Sequence, residues 1–155
     1  MRRLTLSVLS VAVLAACQPG VAPLTDEDIE VLNDMRTAHV QATLAGDCDA
    51  SYAMFAEDVV YLVPNDATVE GRAAMRALCE PVQDFTVDSH GIDGNADLAF
   101  DRGTWSRTSM SEGVDEATTI SGKYVMIARK QADGSWLWTV GIVNLDVPEP
   151  QPEQP

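Results

Sequence analysis

A chain of 155 residues with an apolar fraction of 46% is long enough for one domain with a real core and too apolar to remain disordered. Its 24 acidic residues against 10 basic ones give a formal charge of −14, a field that repels nucleic acid and anionic lipid head groups. The same acidity also serves simply to keep an exported domain soluble.

The chain opens with Met1-Arg2-Arg3 and an apolar run from Leu4 to Leu14, too short to span a bilayer as a mature helix. Leu14-Ala15-Ala16-Cys17 follows, and it resembles the lipobox of bacterial lipoprotein precursors. The resemblance implies removal of residues 1–16, lipidation of Cys17 and a periplasm-facing place in the bacterial cell envelope. Gln18, where an aspartate would otherwise stand, resembles the pattern sorted to the outer rather than the inner membrane. Without Arg2 and Arg3 the chain keeps eight basic residues against 24 acidic, so membrane contact is expected through the lipid anchor only. Residues 17–24, with Pro19, Gly20 and Pro23, read as the lipidated cysteine and a tether. Residues 147–155 read as a disordered Pro-rich tail. The folded domain is expected over 25–146.

Thr25-Asp26-Glu27-Asp28 is a helix start, with Thr25 as N-cap and acids in the first turn. The helix should run to Ala45 and stop at Gly46, burying a stripe of Leu32, Met35, His39 and Ala42. Asp49 can cap a second short helix over 50–56 that buries Tyr52 or Ala53 along with Phe55. Residues 58–63, Asp-Val-Val-Tyr-Leu-Val, are β-branched and aromatic and predict a strand. Pro64-Asn65-Asp66 is a turn, and residues 71–79, rich in Ala, Met and Arg, predict a third helix. Strands are then expected over 85–92, 97–108, 118–130 and 136–144. A polar loop over 109–116 and a hairpin turn at Ala132-Asp133-Gly134-Ser135 separate the last three. Helices followed by an antiparallel meander define an α+β layer fold, and a strongly curved sheet wrapped by helices leaves a concave interior.

Of three cysteines, Cys17 belongs to the lipobox. Cys48 and Cys79 form an even pair, consistent with a disulfide in an oxidising compartment or with two buried thiols. No motif around them marks a catalytic thiol.

Several stretches look familiar together. Phe55-Ala-Glu-Asp-Val-Val-Tyr and Val69-Glu-Gly-Arg-Ala-Ala-Met resemble the passage from second to third helix in SnoaL-like proteins, of the nuclear transport factor two-like superfamily. Residues 96–106 resemble the long central strand of that group, and 122–136 its final hairpin. The resemblance spans residues 25–146 and implies a cone-shaped fold of three N-terminal helices on a curved, mainly antiparallel sheet. The superfamily holds isomerases, dehydratases, cyclases, epoxide hydrolases and many non-enzymes, so fold alone names no activity. Its ketosteroid isomerase branch carries a tyrosine in helix one, an aspartate base before a proline and a second acid in the penultimate strand. Matching positions here are His39, Val63 before Pro64, and Met126. Val63 and Met126 cannot hold a proton, which argues against isomerase chemistry. Related folds also pair through the outer sheet face, which implies a homodimer.

His39, on the apolar stripe, is a candidate ligand contact or general base; the alternative is a core histidine satisfied internally, and Asp101 could approach it in space. Tyr61, Trp105, Tyr124 and Trp138 are strand aromatics that either line a pocket or pack the sheet. Arg102 needs an acid such as Asp101 or Glu57 if buried, and otherwise could meet a substrate carboxylate. Asn144 is a further candidate polar contact. No catalytic set, metal motif or phosphate loop can be assembled: His39 and His90 stand far apart, and no Gly-x-Ser-x-Gly or Gly-rich helix start is present. No cofactor is expected. These residues point first to a non-catalytic carrier of a small, largely apolar molecule. The alternatives are a cofactor-free isomerase, dehydratase or hydrolase built on His39, and an assembly module.

Overall fold

The computed structural model describes residues 21–110 and 116–146. The leader, Cys17 and the Pro-rich tail lie outside the described residues. Nine elements follow in order: α1 (Asp26–Leu44), α2 (Cys48–Tyr52), β1 (Phe55–Leu62), β2 (Val69–Glu70), α3 (Arg72–Arg76), β3 (Asp84–Asn95), β4 (Leu98–Met110), β5 (Ala117–Lys130) and β6 (Trp136–Val143). The strands form one sheet in the order β2-β1-β6-β5-β4-β3. Every neighbouring pair is antiparallel except β1 with β6, which run parallel across a long connection made of β2, α3, β3, β4 and β5. The α+β cone with three helices on a curved sheet is therefore observed.

α1 begins as its sequence requires. Thr25 accepts from the Asp28 backbone N–H at 3.1 Å, and the Asp28 carboxylate accepts from the Thr25 N–H at 3.1 Å, a full capping box. Past the C-cap Ala45, Gly46 turns the chain at φ +69°, which costs a glycine little. Leu32 and Ala42 of the predicted stripe are buried, and Met35 and His39 half-buried.

The second helix departs from expectation. It is capped by Asp47, whose side chain accepts from the Ala50 N–H at 2.9 Å, so it starts at Cys48 and ends at Tyr52. Asp49, the expected cap, pairs instead with Arg76 on α3. Phe55 and Ala56 consequently open β1, where Phe55 is paired with Trp138 and is 2% exposed. Tyr52 is half-buried and Ala53 exposed. The two-residue strand β2 has too short a pattern to be read from sequence. α3 is shorter than the expected 71–79: Ala77, Leu78 and Cys79 donate to the carbonyls three residues back, so the helix tightens and ends. Ala22, in the segment read as a tether, accepts from the Ala96 N–H at 2.8 Å, and Pro23 bridges Asn95 at the β3–β4 turn.

Alternation along the strands sorts residues between two faces. Ala99, Asp101, Gly103 and Trp105 on β4 share the concave face with Tyr124, Met126 and Ala128 on β5. With Leu32, Phe55, Val59, Met75, Trp136 and Trp138 they build the core. Burying a side chain such as Phe55 stabilises the fold by roughly 2–3 kcal/mol.

Cys48 and Cys79 form a disulfide with 6.0 Å between their Cα atoms, closing 31 residues and tying the start of α2 to the segment after α3. Thiol titration of the denatured, unreduced protein should therefore find neither Cys48 nor Cys79 free. Cys79→Ala should lower unfolding stability by about 3–4 kcal/mol, the loop-closure term for a ring of that size.

Candidate functional site

Between α1 and the concave sheet lies a cavity of about 510 Å³. Three α1 residues at helical spacing, Arg36, His39 and Thr43, form its roof. Its floor is the inner sheet face, with Trp105, Tyr124, Met126 and Trp138. The short segment after α3, residues 77–80 with Val82, closes one side and is held in place by the disulfide. A glycine on the inner face keeps the floor low. A Cβ on Gly141 would stand 2.3 Å from the Tyr61 ring, so only glycine lets that ring lie flat on β6.

His39 is packed edge-on against Phe55, Phe85 and Trp138, with ring centroids 5.6, 5.8 and 5.3 Å away. Its Nδ1 lies 3.1 Å from the Ser51 carbonyl oxygen and 3.0 Å from the Ser51 hydroxyl, which is 2.9 Å from the Thr43 hydroxyl. A carbonyl only accepts, so the proton belongs on Nδ1 and the lone pair on Nε2. Burial holds the imidazole pKa below its ordinary 6.5, against the smaller opposing pull of the Ser51 carbonyl. The ring is thus neutral at pH 7.

Asp101 takes partners other than His39. It is buried on β4, where it accepts from Arg36 Nη1 at 2.7 Å and from the Ser89 hydroxyl at 2.5 Å. Arg36 Nη2 also donates to Asn33 at 2.5 Å. This cluster forms one polar end of the cavity, and the buried Tyr124 hydroxyl sits beside it without a well-formed hydrogen bond among the described residues. Burial, with the Asp101 charge next, raises the Tyr124 pKa, and burial does the same for Tyr61, so both phenols stay protonated.

Five of the seven expected contacts, His39, Tyr61, Trp105, Tyr124 and Trp138, line the cavity. Two do not. Arg102 is exposed on the convex face because it alternates with inward-facing Asp101 and Gly103. Its suggested partners are taken, Asp101 by Arg36 and Glu57 by Arg72. Asn144 is exposed past the end of β6 and accepts from the Lys123 N–H at 2.7 Å, a structural clamp between strand ends. Val63 and Met126, the positions matched to isomerase acids, do line the cavity, and both are apolar. Sequence reasoning missed Arg36 and Arg107 as lining residues. The spacing of Arg36 from His39 and Thr43, three then four residues, carried that information for Arg36. For Arg107 strand alternation carried it, because the residue stands two positions after Trp105 on the same strand and so shares its face.

Among the described residues, no three His, Cys, Asp or Glu side chains come together as a metal site. No helix among them is long and apolar enough to cross a membrane.

A curved sheet roofed by an N-terminal helix over a ligand-sized cavity defines the class of cone-shaped α+β domains. Within it, the chain belongs to the SnoaL-like domain family, whose model matches residues 37–138. The structure is similar to a ketosteroid isomerase-like protein from Erwinia carotovora atroseptica, at 22% identity and TM-score 0.70, covering 80% of this chain and 100% of that one. It is also similar to a nuclear transport factor 2-like superfamily protein from Salmonella enterica serovar Typhimurium, at 9% identity and TM-score 0.65, covering 81% and 95%. A conserved protein from Planctomyces limnophilus is similar at 17% identity and TM-score 0.70, covering 78% and 99%. These likenesses concern the fold. No curated protein sequence matches the chain.

The depressed His39 pKa has a consequence for stability. The unfolded chain binds a proton near pH 6.5 and the folded one only at lower pH, so stability is full above 6.5 and falls as pH drops below it. Denaturant midpoints should decline between pH 7 and 5.5, and His39→Gln should flatten that decline. An NMR titration of the wild-type ring should show its inflection below 6.5.

Proposed function

We propose that this chain is a bacterial envelope protein, anchored by lipid at Cys17, whose cavity carries a small, largely apolar molecule without transforming it. One observation supports the carrier reading above all: the two positions matched to the isomerase acids are the apolar Val63 and Met126. His39 has Ser51 as its Nδ1 partner and no carboxylate behind it. Asp101 is held by Arg36, and the phenols stay protonated. General acid–base catalysis needs a group within reach whose proton affinity suits the operating pH. The open, aromatic-lined cavity supports binding instead.

The carrier reading predicts that mass spectrometry of the protein released intact from membranes finds one class of small molecule retained. His39→Gln should change its affinity by about fivefold, on the order of 1 kcal/mol for one neutral hydrogen bond. Turnover of any substrate that falls by about 10²–10⁴-fold in His39→Gln would instead promote the enzyme reading. The anchor is tested by Cys17→Ser, which should move the protein out of the membrane fraction or leave it unprocessed. A wild-type protein found in the cytosol with residues 1–16 intact would sink that part.

A second copy of the chain is the partner that the convex face supports. Phe100, Ile127, Val140 and Val60 form one apolar row across four strands, and Val125, Ile142 and Leu62 a second. Phe100, Ile142 and Leu62 are 38%, 43% and 38% exposed, and such patches mark contact surfaces. Sedimentation should find a dimer in the wild type and a folded monomer in Ile142→Asp.

A further inference from the structure

Each end of the cavity holds one ion pair, and among the described residues the ends differ in the group left unsatisfied: the neutral Tyr124 hydroxyl at the Asp101 end, the Arg107 guanidinium and the Trp105 indole at the other. At the Asp101 end the ion pair is closed: Arg36 and Asp101 are 15% and 8% exposed, and Asn33 and Ser89 complete their hydrogen bonds. At the other end Arg107 on β4 meets Glu80, on the segment after α3, through Nη1 alone. That pair is more exposed, at 31% and 48%. Arg107 Nε is buried with no acceptor, and so is Trp105 Nε1, two residues earlier on the same face of β4. Indole and guanidinium nitrogens only donate. Tyr52 and Tyr61, close enough to feel the Arg107 charge, line the same region, and their hydroxyls make no hydrogen bond among the described residues. Two buried donors, Trp105 Nε1 and Arg107 Nε, therefore stand here without acceptors among the described residues, and the Arg107 cation has a partner that is half in solvent. Buried donors left this way are costly, and the group that best answers a guanidinium is a carboxylate.

Resting on the carrier reading, we propose that the ligand is a small monocarboxylic acid with an apolar body, its carboxylate seated against Arg107 in competition with Glu80. The body lies along Phe55, Trp138 and Met126, and the tyrosine hydroxyls can turn to the carboxylate oxygens. The net charge of −14 opposes the approach of an anion. Screening confines that opposition to about 8–10 Å at physiological salt, so the nearby charges, Arg107 and Glu80, decide the balance.

The test compares two probes of one shape on the intact protein, 4-phenylbutyrate and 4-phenylbutan-1-ol, by calorimetry and tryptophan fluorescence. The acid should bind at least tenfold more tightly than the alcohol. Arg107→Gln should erase that preference while leaving the alcohol's affinity within about twofold. Glu80→Gln, a half-exposed position where folding is not at risk, should tighten the acid several-fold and leave the alcohol unchanged. Equal binding of acid and alcohol, or no gain for the acid in Glu80→Gln, overturns the assignment and leaves the carrier reading standing. Binding of neither probe overturns both.

Discussion

The Asp28 carboxylate is the constraint on which the rest of the structure depends. It closes the capping box of α1 with Thr25, and it also accepts from Lys130 Nζ at 2.7 Å and from Trp136 Nε1 at 3.2 Å. These donors sit on either side of the β5–β6 turn, more than 100 residues away in the chain. One buried acid thus fixes the start of α1 to one end of the sheet. The bond to Lys130 is the largest of the forces that hold its pKa far below the ordinary 3.8. Two turns further on, Arg36 and Asp101 make a second crossing between helix and sheet. Between these anchors Leu32 packs into the core, and from Arg36 to Thr43 the helix roofs the cavity.

That space is maintained by choices that a close-packed core would not make. Gly141 sits where a Cβ would lift the Tyr61 ring off the sheet. The disulfide holds the cavity wall after α3 from outside, so the wall does not have to bury its own apolar residues; Leu78 is 44% exposed. His39 is supported by three aromatic rings and two hydroxyl-bearing neighbours, which makes it a rigid part of the roof.

Membership in the SnoaL-like family settles the shape of the site and leaves its chemistry to individual side chains. Here the positions matched to the isomerase acids are the apolar Val63 and Met126. The charged groups of the cavity are arranged as two ion pairs of unequal exposure.

The sequence by itself determined most of the scaffold. Thr25 to Asp28 announced α1, alternation announced β3 to β6, and the spacing of Leu32, Met35, His39 and Ala42 named the inward face of the helix, because these patterns depend on neighbours a few residues apart. It also put His39, Tyr61, Trp105, Tyr124 and Trp138 on surfaces that converge. It misassigned Phe55 to a helix because Asp47 and Asp49 are equally good caps locally, and only Arg76, which takes Asp49, separates them. It misassigned Arg102 because strand phase relative to the core is set by the partners across the sheet, and Asn144 because β6 ends one residue earlier and the side chain turns to the Lys123 N–H. Which acid meets which base was decided by tertiary structure alone. Asp101 found Arg36 across 65 residues rather than His39 or Arg102, since a pairing at that distance depends on how far α1 stands above the sheet. Periodicity records the direction in which a side chain leaves its own element; the height of one element above another is a property only of the assembled fold.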